Sequence, residues 1–369
     1  MSTFNTSNIE NASGGAPAFS QGLTVGGADI TTLVTMTEFY DQASAPGTPA
    51  NGAVWWDGTD MRQYVGDQWL TCSLTPPPFF GGRGVFGGGF TPYFNVLDYI
   101  TIATPSNATD FGDLTVARMG PAACSDGSRG VWAGGFNNAV TSQPVIDYIT
   151  FATTGNATDF GDLSVERSYA AGCSSSSRGV FGGGSPAPTK NTLDYITIAT
   201  PGNAIDFGDL TALRQNLGAC SNGTYGLFGG GANEFGNRQI NIDYITIATT
   251  GNAADFGDLT EARRGLAACS GGARGVFGGG LNAAGANVNT VDYVTITTPG
   301  NATDFGDLTV AREYVAACSD DYIGVWSGGA TGGTYYNIIE YLTIATPGNA
   351  TDFGDLTATR GFLAGCSGD

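Results

Sequence analysis

Residues 194–210, DYITIATPGNAIDFGDL, are one copy of a phrase that the chain writes six times. The phrase opens at Asp98, Asp147, Asp194, Asp243 and Asp292, and at Glu340 in its last copy, so the steps are 49, 47, 49, 49 and 48 residues. Twelve residues after each opening acid comes Asp-Phe-Gly-Asp-Leu, at Asp110, Asp159, Asp206, Asp255, Asp304 and Asp352. An arginine follows (Arg118, Arg167, Arg214, Arg263, Arg312, Arg360), then a Cys-Ser pair at Cys124, Cys173, Cys220, Cys269, Cys318 and Cys366. Soon after the first five cysteines, a Gly-(Val/Leu)-(Phe/Trp) run leads into glycines.

Within each unit the apolar runs are short, β-branched or aromatic, and bounded by Gly, Pro, Asn or Asp, which is strand chemistry. No stretch carries helical periodicity of useful length. Pro-Gly-Asn-Ala, as at Pro201 to Ala204, is a turn sequence. The glycine runs, such as Gly87 to Gly89, suit a strand end where backbone passes close to the axis without a Cβ. Four short strands per period of about 48 residues predict a propeller blade.

The ends of the array set the blade number. Arg83 to Gly89 has no Cys-Ser strand before it, and Cys366-Ser367 has no glycine strand after it. Placing the C-terminal strand beside the N-terminal three closes the ring and removes two open edges. The expectation is therefore an all-β chain with a six-bladed propeller, its first blade built from both chain ends.

The order of arginine, small-residue strand, hydrophobic strand ending in Gly-Gly, Tyr strand and aromatic strand resembles the kelch repeat over residues 83–369. The aromatic is Phe111 and its equivalents where kelch usually has Trp, and the near-identical units resemble kelch-like propellers encoded by marine bacteriophages. That resemblance implies a virion structural protein, assembled in the host cytoplasm. It makes the chain a tail or head fibre that displays the propeller for adhesion, with a capsid or tail decoration protein as the alternative.

The region before the propeller differs. Residues 1–36 are small, polar and glycine-rich, and read as an extended arm that anchors on other virion proteins. Residues 37–74 contain Val54-Trp55-Trp56, Tyr64-Val65 and Trp69-Leu70 separated by Asp-Gly and Gly-Asp turns, which predicts a small tryptophan-rich β-meander. That pattern resembles modules of phage tail-fibre and virion proteins. Pro76-Pro77-Pro78 closes a stiff linker over residues 75–78, and the propeller is expected over 79–369.

Composition narrows the chemistry. The chain has 33 acids against 14 bases, a formal charge of −19 and no histidine. Without imidazole there is no Ser-His-Asp or Cys-His nucleophile activation, and the copper site of kelch-like oxidases has no ligands. The expectation is no enzyme, no metal and no cofactor. A strongly acidic surface disfavours nucleic acid, and no apolar run spans a bilayer or follows a basic start as a secretory signal would. The paired carboxylates of Asp110 and Asp113 and their repeats are too few for a calcium site. They are expected to cap turns and to pair with the arginine of the same repeat. The repeated cysteines read as small apolar fillers on the innermost strand.

Comparing the six copies separates frame from payload. The segment between the glycine run and the Asp-Tyr strand varies freely: FTPYFNVL, FNNAVTSQPVI, SPAPTKNTL, ANEFGNRQINI, LNAAGANVNTV and ATGGTYYNII. Its aromatic, amide and basic residues are the candidate ligand-binding set: Tyr93, Phe94, Asn137, Lys190, Asn233, Phe235, Arg238, Tyr335 and Tyr336. These suit stacking on a host-surface glycan or docking on a protein. Particle-level assembly could also make the protein a homo-oligomer.

Overall fold

The computed structural model describes residues 82–368 apart from 140, 187, 188 and 272, together with the backbone of six short strands between residues 23 and 72. The remainder of the arm over 1–36, the linker at 75–78, the side chains of the three expected tryptophans and Cys72 lie outside the described residues.

Two units are distinct, residues 1–79 and 80–369. In the first, Val54–Trp56, Met61–Val65 and Gln68–Cys72 form the expected antiparallel meander. A strand at Phe39–Asp41 adds to it in parallel, and Leu23–Val25 pairs with Ala28–Ile30 as a hairpin.

The second unit is a six-bladed β-propeller, and no helix occurs among the described residues. Each blade is a four-stranded antiparallel sheet, for example Ala171–Ser174, Arg178–Gly182, Thr192–Thr197 and Ile205–Asp209 in chain order from the axis outward. The innermost strands of neighbouring blades abut in a closed circle. Blade 1 is closed as the repeat pattern requires: Ala364–Gly368 pairs with Arg83–Gly87, which pairs with Val96–Thr101 and so with Thr109–Asp113.

Each apolar cluster spans two blades. Cys124, Val131, Ile146 and Phe160 of blade 2, for instance, pack with Phe181, Ile196 and Ile198 of blade 3. The outermost strand carries one extra residue in every blade. In blade 1, Leu97 faces Gly112 and Asp98 faces Asp110, which leaves Phe111 unpaired between them. That bulge turns the Phe111 ring inward, edge-on to Tyr99 at 5.8 Å, and leaves Asp110 exposed.

Three repeated devices join the blades. The cysteine on each inner strand packs into the next blade where a glycine opens the second strand; a Cβ on Gly179 would lie 2.5 Å from Sγ of Cys124. The same fit recurs from Cys366 onto Gly130 and from Cys318 onto Gly84. At the outer edge, the turn of each blade hooks the preceding outer strand: Asn156 Oδ1 accepts from the Asp113 N–H at 3.1 Å, and Gly155 N–H donates to Phe111 O at 2.8 Å. Asn107, Asn203, Asn252, Asn301 and Asn349 repeat this bond, so no outer strand presents a bare edge.

The third device corrects an expectation. Each repeat arginine pairs with the acid that precedes Tyr and not with Asp-Phe-Gly-Asp. Arg118 meets Asp147 at 2.9 Å, Arg167 meets Asp194 at 2.8 Å, and Arg360 meets Asp98 at 3.0 Å, all fully buried. The other Asp147 oxygen accepts from the Thr115 hydroxyl at 2.6 Å, and Arg118 also donates to Trp132 O. The physical reason is reach: the bulge leaves the Asp-Phe-Gly-Asp carboxylates outside, whereas the third strand aims its acid at the incoming connector. The glycine doublets serve the same place, since a Cβ on Gly88 (φ +72°) would strike the Arg118 carbonyl. They bend around the connector and not around the axis.

Candidate functional site

After each outer strand the chain runs inward as a connector to the next inner strand. The arginine anchors it, and two residues later it reaches the axis at Gly120, Tyr169, Asn216, Gly265, Tyr314 or Phe362. All six have left-handed backbone, with φ between +57° and +67°. Their amides form a closed ring of hydrogen bonds at 2.7–3.0 Å: Tyr169 N–H donates to Gly120 O, Asn216 to Tyr169, Gly265 to Asn216, Tyr314 to Gly265, Phe362 to Tyr314, and Gly120 to Phe362. Each non-glycine residue in that conformation costs about 1–2 kcal/mol, and the ring holds four of them, which marks a place where strain is retained.

The ring frames a shallow dish with a cavity of about 60 Å3. Its floor is apolar, from Pro121, Leu217, Leu266, Val315 and Leu363. Its wall is aromatic and lopsided. Tyr314 stacks on Phe362 at 3.7 Å, and Tyr169 tilts toward Phe362 at 5.8 Å. Phe90 lies edge-on to Phe362, Tyr93 and Tyr335 at 6.4, 5.1 and 6.0 Å. The glycines of the ring make room for their neighbours: a Cβ on Gly265 would sit 3.2 Å from the Tyr314 ring, and one on Gly120 would collide with the Tyr169 ring.

Burial and neighbouring phenols push the Tyr169 hydroxyl well up from its ordinary value. The Tyr314 hydroxyl is pushed up to about 12, by burial first and then by the Glu313 carboxylate. Glu313 is itself raised by desolvation, against the lowering influence of Arg264. Both tyrosines are thus neutral donors and acceptors throughout the physiological range.

Charge is distributed unevenly over the propeller. Six arginines are spent in the buried pairs, and Arg83, Arg129, Arg178 and Arg274 lie at the far ends of the second strands, over the rings of Tyr99, Tyr148, Tyr195 and Tyr293. The remaining propeller cations, Lys190, Arg238 and Arg264, all belong to the loops around the dish. The acids of those loops are Glu166, Glu234, Glu261 and Glu313, so this face is nearly balanced while the outer strands carry the aspartates.

The structure disperses the sequence-predicted residues. Tyr93 and Tyr335 reach the aromatic wall. Phe94 lies under the Arg360 guanidinium, and Tyr336 accepts the Arg360 amide through its carbonyl. Asn137 and Asn233 fold their own loops, with Oδ1 accepting from Ala139 and Thr141 in one case and from Phe235 and Asn237 in the other. Lys190 is half-buried, and its backbone carbonyl receives the Arg214 amide. Arg238 donates to Gly236 O at 3.0 Å, and Phe235 stands 79% exposed.

Tyr169, Tyr314, Phe362, Phe90, Arg264 and Glu313 escaped the sequence comparison. For all but Phe90, which opens the FTPYFNVL segment, the signal was present: the two positions after the repeat arginine read Met-Gly, Ser-Tyr, Gln-Asn, Arg-Gly, Glu-Tyr and Gly-Phe, variable inside an otherwise constant connector.

No protein-family model matches the chain, and the comparison with curated proteins finds no significant relative.

Proposed function

We propose that this chain is a structural protein of a bacteriophage particle that adheres to the host surface through the dish-bearing face of its propeller. The observation that carries the reading is the lopsided aromatic dish set in a sixfold frame. Everything that joins blades repeats, while the six axial residues, Gly120, Tyr169, Asn216, Gly265, Tyr314 and Phe362, break the sixfold pattern. Aromatic rings, phenol hydroxyls, amides and balanced charge are a recognition surface for sugars or protein. The kelch-like repeats and the meander that resembles those of virion proteins supply the particle context, with residues 1–36 as the anchor on other virion proteins. The work is binding without catalysis, in keeping with a chain that has no histidine.

Binding of the full-length protein to bacterial envelope polysaccharide tests this. Adhesion at micromolar concentration, lost in a folded Tyr169→Ser/Phe362→Ser variant, is expected; a folded wild-type protein that adheres to nothing overturns it. If particles bearing Tyr335→Ala and Tyr336→Ala infect normally while particles whose copy lacks residues 1–36 have lost the protein, the chain is a decoration protein instead.

A further inference from the structure

We infer that the dish selects a sugar unit of an acidic polysaccharide, a hexuronate whose carboxylate meets Arg264 and Arg238 while the ring edge enters the aromatic wall. The inference rests on the adhesion reading and names the ligand class of that site.

Charge is the first argument. In a chain of formal charge −19, the propeller cations left over from the scaffold gather on this one face, and two of them act on the same carboxylate, Glu313. The Arg263 amide donates to Gln239 O at 3.2 Å, which joins the two segments, and both guanidinium groups lie close enough to Glu313 to act on its carboxyl. The Arg264 side chain is 27% exposed, meets Glu313 loosely at 3.5 Å through Nε and lies over the Tyr314 ring at 5.8 Å. Arg238 is held by one carbonyl, that of Gly236. Both guanidinium groups act on one carboxylate, Glu313, so they share a neighbourhood in which an added carboxylate meets two arginines. A carboxylate fits the planar guanidinium fork in bidentate fashion. A dianionic phosphate would meet repulsion from Glu313 that a monoanion feels less.

Shape is the second. The dish, with a cavity of about 60 Å3 open to solvent, can receive one apolar C–H edge of a sugar. The floor of Leu217, Leu266, Val315 and Leu363 suits that edge, and the phenols of Tyr93, Tyr314 and Tyr335 gather around Tyr169 to meet hydroxyl groups. The arginines lie at the margin, where a charged group keeps its water on one side.

The test titrates the full chain with trigalacturonate, its methyl ester and maltotriose by calorimetry at low and moderate salt. The acid is expected to bind about tenfold tighter than its ester, and to weaken as salt rises. Arg264→Gln and Arg238→Gln should each erase the preference while leaving the ester's affinity in place, whereas Arg274→Gln, which removes the same charge at the far end of a blade, should change nothing. Equal affinity for acid and ester, or a preference that survives both arginine substitutions, overturns the inference. A protein that adheres to envelope polysaccharide but neither binds trigalacturonate nor is displaced by it also overturns the inference and leaves the adhesion reading standing. Absence of any adhesion removes that wider reading as well.

Discussion

The turns between third and fourth strands and the connectors between blades are both built six times, yet they treat repetition differently. In the turns, Asn156 and its five equivalents make the same bond to the preceding outer strand, and the sequence around them barely changes. In the connectors, the arginine is constant, but two residues further on Gly120, Tyr169, Asn216, Gly265, Tyr314 and Phe362 share only a backbone conformation. The difference teaches where symmetry is enforced. A side chain that touches the next blade is held to one chemistry by six equivalent contacts, whereas one at the axis answers to its left-handed backbone and to its immediate ring neighbours.

The frame should break first at the buried pairs. Arg360→Leu leaves Asp98 as an uncompensated buried charge, which costs about 3–5 kcal/mol. It also does so at the junction between the two ends of the propeller, where Arg360 and Asp98 lie 262 residues apart. Urea unfolding of the full chain should show a larger loss for Arg360→Leu than for Arg214→Leu, whose pair lies within a blade of continuous chain. Equal losses would mean that the closing blade is not the weakest.

Next comes the fit of cysteine into glycine. Gly179→Ala drives a methyl group into Sγ of Cys124, and overpacking of this kind costs about 1–3 kcal/mol. Adding Cys124→Ala should return part of that, and a double-mutant cycle measures the coupling; independent effects would show that the two do not touch in solution. The thiols themselves report the packing. Burial pushes Cys220 up to about 12 from an ordinary 9.0, so the folded state holds its proton more tightly than the unfolded chain does. That contribution to stability is complete below pH 9 and fades as pH rises toward 12. At pH 8, a thiol reagent should therefore leave the six ring cysteines unmodified until denaturant is added. Rapid modification of folded protein would contradict it. At the outer edge, Asn156→Ala should cost about 0.5–1.5 kcal/mol, the net worth of one hydrogen bond, read by the same unfolding curves.

Much of the frame was legible in the sequence because repetition shows which residues answer to a neighbour. Blade number, ring closure at Cys366 and the inner-strand cysteines all followed from spacing. The arginine partner did not, because choosing between Asp147 and the Asp110/Asp113 pair needs the bulge at Phe111, and a bulge is a register event invisible in composition. The hooks at Asn107 and Asn156 were legible only as turn residues, because a turn sequence does not say which neighbouring strand it bonds. At the candidate site the loop aromatics Tyr93 and Tyr335 were found, but Tyr169, Tyr314 and Phe362 were not. They sit in a connector whose constancy drew attention away from its two variable positions, and only the left-handed ring shows that those positions face the axis together.

The smallest stability effect is expected where the functional loss is largest, and that contrast is the sharpest way to separate frame from payload. Tyr314→Gly removes the stacking on Phe362, worth about 0.5–1.5 kcal/mol, but it also relieves a left-handed tyrosine at φ +58°, worth about 1–2 kcal/mol. The two terms oppose each other, so the unfolding midpoint should barely move while affinity for polysaccharide falls steeply. Gly265→Ala makes the opposite comparison. It keeps every aromatic group but presses a methyl group toward Tyr314 and puts an alanine at φ +67°, so it should destabilise the fold more than Tyr314→Gly does. If Tyr314→Gly proves the more damaging to stability, the aromatic wall belongs to the scaffold, and the axial end of the propeller loses its claim to be a surface kept free for recognition.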